Sequence, residues 1–360
     1  MLNFTVLKSC IIALFAITAC ANENTLNETE ARHAKTPENG DTARRSAGDN
    51  EQSASSWKTV FFDDFNSKQL DRTKWKPEQS CWGGGNNERQ CYVDRPGNIQ
   101  LDEGILKLVA IAGEYKGPRL PEGMPGAPGG TVTKPYTSGK IRTRGLSSYK
   151  YGRISARLKL PEGQGTWPAF WMMPEQDAYG NWPLSGEIDI MEAVNLETPC
   201  TDCPNGVERR TSGALHFGGL PPDNTYLFLK TPGNQEIGPS REWRTYSIEW
   251  GESRIQWFVD GKIFMRINAE DWYTNSNLAA QRKFAPFDQP FYIMLNLAVG
   301  GRLAEESNGA GFDPSSFPAE LLVDWVRVEQ CHADTETGMA CLSDQEWQGE
   351  PNGPWEALAR

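Results

Sequence analysis

Three carboxylates crowd one short stretch of the chain, Ser185-Gly186-Glu187-Ile188-Asp189-Ile190-Met191-Glu192-Ala193. In an extended strand, residues two apart share a face. Glu187 and Asp189 therefore point the same way, and Glu192, further along, would point to the other side. One extra residue at Ile190-Met191, a β-bulge, returns Glu192 to the first face, and bulges are frequent beside active sites. The two glutamates then stand ~13 Å apart at Cα. Side chains leaning together can close that to the ~5–5.5 Å at which two carboxylates cleave a glycosidic bond with retention. In that chemistry one carboxylate attacks the anomeric carbon, and the other, protonated, donates to the leaving oxygen. A third acid on the same face helps, because mutual repulsion raises at least one pKa. A solvated acidic strand edge or a calcium site would show the same spacing. The apolar spacers Ile188, Ile190 and Met191 argue against a solvated edge, since they suit a core beneath a polar floor.

Such a strand needs neighbours, and the chain supplies them. Short apolar or alternating runs recur between Gly, Pro, Asn and Asp: Ile105-Leu106-Lys107-Leu108-Val109-Ala110, the alternating segment 153–160, and the segments 291–299 and 321–328. Tyr246-Ser247-Ile248-Glu249-Trp250 and Ile255-Gln256-Trp257-Phe258-Val259-Asp260-Gly261 read as a pair joined by a short turn. No long window has helical periodicity. Many short strands split by turn signals predict an all-β fold, a β-sandwich or jelly roll.

The formal net charge of -11 argues against a nucleic-acid partner, which calls for a basic surface. A neutral polysaccharide fits that charge. Thirteen Trp, ten Tyr and fifteen Phe are many for this length; most of them suit a core, and pyranose rings stack on such flat faces where they are exposed. Near the start, Lys8 and the apolar run Ile11-Ile12-Ala13-Leu14-Phe15-Ala16-Ile17 make a leader too short to span a bilayer as a helix. Ile17-Thr18-Ala19-Cys20 resembles a bacterial lipobox, so residues 1–19 are expected to be a signal peptide and Cys20 to be acylated. Residues 20–56 read as a disordered tether, polar and nearly free of large apolar side chains. Ala21 in place of Asp favours the outer membrane over the inner one. Of eight Cys, Cys10 and Cys20 belong to the leader and the lipid site. The rest form three close pairs, Cys81 with Cys91, Cys200 with Cys203, and Cys331 with Cys341. In an exported chain these are expected to be local disulfides. A zinc site is the weaker alternative, because the pairs are far apart and only three His exist.

The carboxylate segment resembles the signature of glycoside hydrolase family 16, and its bulged form resembles the laminarinase (endo-β-1,3-glucanase) branch. Further matches stand in order along the chain: Gly84-Gly85-Asn86-Asn87-Glu88, Tyr151-Gly152-Arg153-Ile154, Gly163-Gln164-Gly165-Thr166-Trp167-Pro168-Ala169-Phe170-Trp171, Asn181-Trp182-Pro183, Leu215-His216-Phe217-Gly218-Gly219, Leu295-Asn296-Leu297-Ala298-Val299-Gly300-Gly301 and Val323-Asp324-Trp325-Val326-Arg327-Val328. The resemblance implies a β-jelly-roll sandwich of two antiparallel sheets over 57–330, with one concave face as the glycan cleft. A Cys-closed loop and polar tail would follow over 331–360. It implies that Glu187 is the nucleophile, Glu192 the acid/base and Asp189 the residue that tunes the nucleophile. His216 is expected beside Glu192. Trp167, Trp171 and Trp182 are expected to stack on sugars, with Trp182 as the floor just upstream of cleavage. The loop at Asn87 would border the donor subsites. No catalytic cofactor is implied, but a structural calcium is, and Gly104 and Asp324 match two positions of its site. The expected partners are a β-glucan and, through the lipid, a membrane, for a monomer that binds no nucleic acid. Two departures touch acceptor-side specificity: Arg302-Leu303 replaces the familiar aromatic after Gly300-Gly301, and the insertion at Cys200 and Cys203 sits in a cleft-side loop. Mixed-linkage glucan or an algal galactan is an alternative substrate, and a glucan-binding protein without catalysis is an alternative function. The presence of both glutamates argues against the latter.

Overall fold

The computed structural model describes residues 56–232 and 242–347. The leader at 1–19, the acylation site Cys20 and its tether, and the tail beyond 347 lie outside the described residues, apart from Ser56 at the tether's end.

The described residues form two stacked sheets. A seven-stranded sheet runs in the order Asn224–Lys230, Ser212–Gly218, Glu187–Glu192, Thr166–Pro174, Phe291–Val299, Lys140–Arg142, Lys76–Pro77, with every pair antiparallel. A ten-stranded sheet covers its back, with Arg254–Val259, Arg244–Gly251, Gly152–Lys159 and Ala319–Cys331 side by side in its middle. Its one parallel pair joins Gln90–Tyr92 to Thr131–Ser138. Alternation explains the stacking. In Gly152–Lys159 the side chains of Ile154, Ala156 and Leu158 are fully buried, while Arg153, Ser155 and Arg157 face outward. The expected pair at 246–250 and 255–261 is the hairpin of Arg244–Gly251 with Arg254–Val259. Phe291–Val299 is buried at every residue, as a central strand covered on both faces must be.

One buried core joins the sheets, built from Ile188, Ile190 and Met191 of the carboxylate strand together with Phe170, Leu215, Ile248, Trp250 and Trp257. The sandwich expected from the sequence is therefore present. The segment after 330 is more tightly held than a polar tail would be. Arg266 Nη2 donates to the Gln345 carbonyl at 2.8 Å, and Trp347 Nε1 donates to the Phe264 carbonyl at 3.0 Å, so residues up to 347 strap onto the ten-stranded sheet. The sulfurs of Cys81 and Cys91, Cys200 and Cys203, and Cys331 and Cys341 are bonded within each pair. Because those cysteines are paired with one another, they leave no thiolates for zinc.

Candidate active site

The carboxylate strand Glu187–Glu192 carries its bulge where the sequence places it. Asp189 lies opposite Trp171 and Met191 opposite Phe170, so Ile190 is the extra residue against Thr166–Pro174. On the other flank the register shifts between Asp189 and Glu192. Glu187, Asp189 and Glu192 consequently share the outer face of the seven-stranded sheet, while Ile188, Ile190 and Met191 go to the core. A buried Trp257 from the opposite sheet fixes the bulge, its indole N–H donating to the Asp189 carbonyl at 2.8 Å. Gly213 makes room for that ring. A Cβ there would stand 2.4 Å from Trp257 Cδ1.

Each glutamate is held by an indole. Trp182 Nε1 donates to Glu187 Oε2 at 2.6 Å, and Trp167 Nε1 donates to Glu192 Oε1 at 2.9 Å. Trp182 thus stands beside Glu187 through its N–H. Trp167 departs from the sugar-stacking expectation. Its ring is buried against Val194, Ala298 and Ala304, so its exposed function is the N–H and not a face. Trp171 sits beside Asp189 on the site face, partly open, with its N–H donated to Asn296 Oδ1 at 2.6 Å and Lys140 Nζ 4.8 Å from the ring.

His216 corrects a second expectation. Its partner in the antiparallel register is Glu187, and Ser212 lies opposite Glu192. Its Nε2 is 3.2 Å from Asp189 Oδ2 and 3.8 Å from Glu187 Oε1. Tyr226 stacks on the imidazole at 5.2 Å. The register alone decides this, because antiparallel pairing brings the far part of the second strand, where His216 lies, back to the start of the first. Asn87 is exposed on the loop after Gly83–Gly85, with a left-handed φ of 61°, and that loop docks on Phe291–Val299 through Arg89 N to the Val299 carbonyl.

Electrostatics favour a retained proton. Burial and then the charge of Asp189 push the Glu187 carboxyl up to about 8, against the pull of His216 and the Trp182 N–H. The sequence puts the spare proton on Glu192. The structure puts the upward push on Glu187, because that carboxylate is the one enclosed beside Asp189.

Gly104 and Asp324 lie on the ten-stranded sheet's side, Gly104 in the turn between Ile99–Asp102 and Ile105–Pro118 and Asp324 on Ala319–Cys331. Asp324 is engaged by Arg157, and Gly104 faces the side chain of Asn66. The departure at Arg302-Leu303 opens a short helix, Arg302–Glu306, pinned by Asn195 Nδ2 to the Ala304 carbonyl at 2.6 Å. Asn296, Lys140 and Tyr226 were not singled out from sequence. The signal existed for Asn296, a lone amide between Leu295 and Leu297 in an otherwise apolar run.

The profile of Glycosyl hydrolases family 16 matches residues 129–327. Glucan endo-1,3-beta-glucosidase A1 of Niallia circulans is 38% identical over 282 residues, which is 75% of this chain but 37% of that relative's length. Beta-glucanase of Rhodothermus marinus is 35% identical across 78% of this chain and 87% of its own. Among solved structures, the laminarinase from Rhodothermus marinus superposes with a TM-score of 0.58 at 33% identity, covering 76% of this chain and 97% of that one.

Proposed function

Since the chain belongs to glycosyl hydrolases family 16, we propose that it is a retaining endo-hydrolase of β-1,3-glucan. The observation that carries the reading is the bulge at Ile190, which gathers Glu187, Asp189 and Glu192 on one face with an indole N–H on each glutamate. A Glu187 oxygen attacks the anomeric carbon as the bond to the leaving oxygen breaks, and the Glu192 proton passes to that oxygen. The product is a glycosyl ester of Glu187 and a shortened chain. Glu192, now a carboxylate, takes a proton from water as the water oxygen replaces the ester oxygen at the same carbon. Two inversions leave the β-anomer.

One proton shared among the three acids is the working count. Positive charge developing on the sugar favours the Glu187 anion, so the proton resides on Glu192 as the bond breaks. Once Glu187 is an ester its charge is gone, and Glu192 becomes a better base. The test is direct. Laminarin is incubated with the parent and with Glu187→Gln and Glu192→Gln, reducing ends are counted, and the first products are followed by proton NMR. Loss of about 10³-fold or more in each variant and an initial β-anomer are expected. An initial α-anomer would overturn both roles.

We also propose that the chain is exported and anchored through an acylated Cys20. The lipobox-like Ile17-Thr18-Ala19-Cys20 supports this, and so do three disulfides, which persist in oxidising compartments.

A further inference from the structure

The face opposite the carboxylates carries a second feature. On the outer side of the ten-stranded sheet, the pairing registers bring Phe62, Arg327, Ser155, Ser247 and Phe258 into one row across the strands. The next row reads Glu329, Arg153, Glu249 and Gln256, and the row on the other side reads Trp325, Arg157 and Thr245. Arg153, Ser155, Ser247, Phe258, Trp325 and Arg327 from these rows, together with the strap at Ser343 and Gln345, line a trough of about 440 Å³. That volume falls within the ~300–1,000 Å³ of small-molecule sites.

Its floor is polar and unspent. Ser155 and Ser247 are 6% and 8% exposed, and their hydroxyls make no hydrogen bond to another described residue. Both serines line the trough, so their hydroxyls can donate to and accept from a molecule lying in it. The walls are aromatic on one side, with Arg327 Cζ lying 5.1 Å from the rings of both Phe62 and Trp325. On the other side, Arg153 Nη2 meets Glu329 Oε2 at 2.7 Å, with Glu249 also beside it. Two arginines face two glutamates, so the lining has no net charge to attract an ion. The strands lie inside the sheet, so their backbones are already paired and cannot accept an added peptide strand. Planar polar side chains, aromatic rings and free hydroxyls without net charge suit a neutral polyol, whose C–H faces stack and whose hydroxyls both donate and accept.

We propose that this trough is a second carbohydrate site, which holds a stretch of neutral β-glucan polymer on the side of the domain away from the cleft. The choice of glucan rests on the activity proposed above. The trough raises the local concentration of polymer without taking part in bond cleavage.

Two variants test it: Trp325→Ala, which removes the aromatic wall, and Ser155→Tyr, which fills the floor. Circular dichroism and thermal melting check that each folds. In a Glu187→Gln background, binding to an insoluble β-1,3-glucan is measured by sedimentation, and in the active background hydrolysis of a short laminari-oligosaccharide is followed. Folded trough variants are expected to lose about tenfold in polymer binding, as one aromatic contact and the lost second grip imply. Their kcat/KM on the oligosaccharide should stay within about twofold of the parent, since the two faces share no contacts. Parent-like polymer binding by both variants would overturn the trough. Failure of the parent itself to cleave the oligosaccharide would instead overturn the cleft reading, so the two failures are distinct.

Discussion

At the scale of single residues, the site is three acids with two indole donors, and each can be tested separately. Trp167 is a positioning residue, because its N–H holds Glu192 Oε1 while its ring stays in a small core. Trp167→Phe keeps the packing and removes the donor. Turnover of glucan should fall about ten- to hundredfold, a fraction of what general acid catalysis supplies. An aryl glycoside with an acidic leaving phenol needs little protonation, so its cleavage should barely change. Equal losses on both substrates would mean a merely structural role. The pH profile tests the shared proton. With Glu187 pushed up to about 8, the last proton leaves near there, and kcat/KM should decline above it. Asp189 is the second cause of that rise, after burial. Neutral Asn at 189 removes repulsion, so the alkaline limb should move to lower pH. A limb that stays or climbs would contradict the coupling. The same shift has a stability sign. A carboxyl whose folded pKa lies above its ordinary 4.5 favours folding only below that value, and the advantage is lost as pH rises towards about 8. Glu187→Gln is free of this penalty. It should therefore unfold at a higher temperature than the parent at pH 8, by roughly 1–3 kcal/mol in stability, and show no such gain at pH 4.

At the scale of elements, the bulged strand is the working part, and the opposite sheet holds it in shape. Trp257 reaches across the core to the Asp189 carbonyl, and Gly213 leaves space for the ring. Trp257→Phe fills most of the volume but leaves a buried carbonyl without its donor, which costs about 1–3 kcal/mol. The variant touches no substrate. It should nevertheless lower kcat along with the melting temperature, because the bulge decides which way Glu192 faces. Loss of stability with unchanged kcat would show that the bulge holds without this bond. His216 also belongs to this scale. Its nearness to Glu187 and Asp189 follows from antiparallel pairing with the carboxylate strand, whereas the motif points to Glu192.

At the scale of the whole molecule, the sandwich separates two faces by one core, with the carboxylates on one and the Ser155–Ser247 trough on the other. Local disulfides staple the loops and the strap. Each closes a short loop, so reduction should cost about 2–3 kcal/mol per bridge and lower the melting temperature without changing the sheet content. Cys81 and Cys91 lie buried in their own cluster with Val93, so they should be the last to react with a reductant, which alkylation and peptide mapping would follow. Cys20→Ser should move the enzyme from the membrane fraction to the soluble one. Unchanged fractionation would sink the anchor.

The sequence by itself determined the all-β class, the position of the bulge, the three acids on one face and the pairing of the cysteines. These are local consequences of period-two alternation and short spacing, so the chain carries them in adjacent letters. Ile188, Ile190 and Met191 had to go inward, and that forced Glu187, Asp189 and Glu192 outward. Tertiary structure alone decided the rest. Trp167 reads like any cleft tryptophan until Ala298 and Ala304, far along the chain, close over its ring. His216 pairs with Glu187 because of a register set by a distant turn. The push on the Glu187 carboxyl comes from burial, and burial is a property of everything packed around a residue. The trough on the outer sheet joins Ser155, Ser247, Phe258 and Arg327 from four strands, and no spacing in the sequence places four such strands side by side.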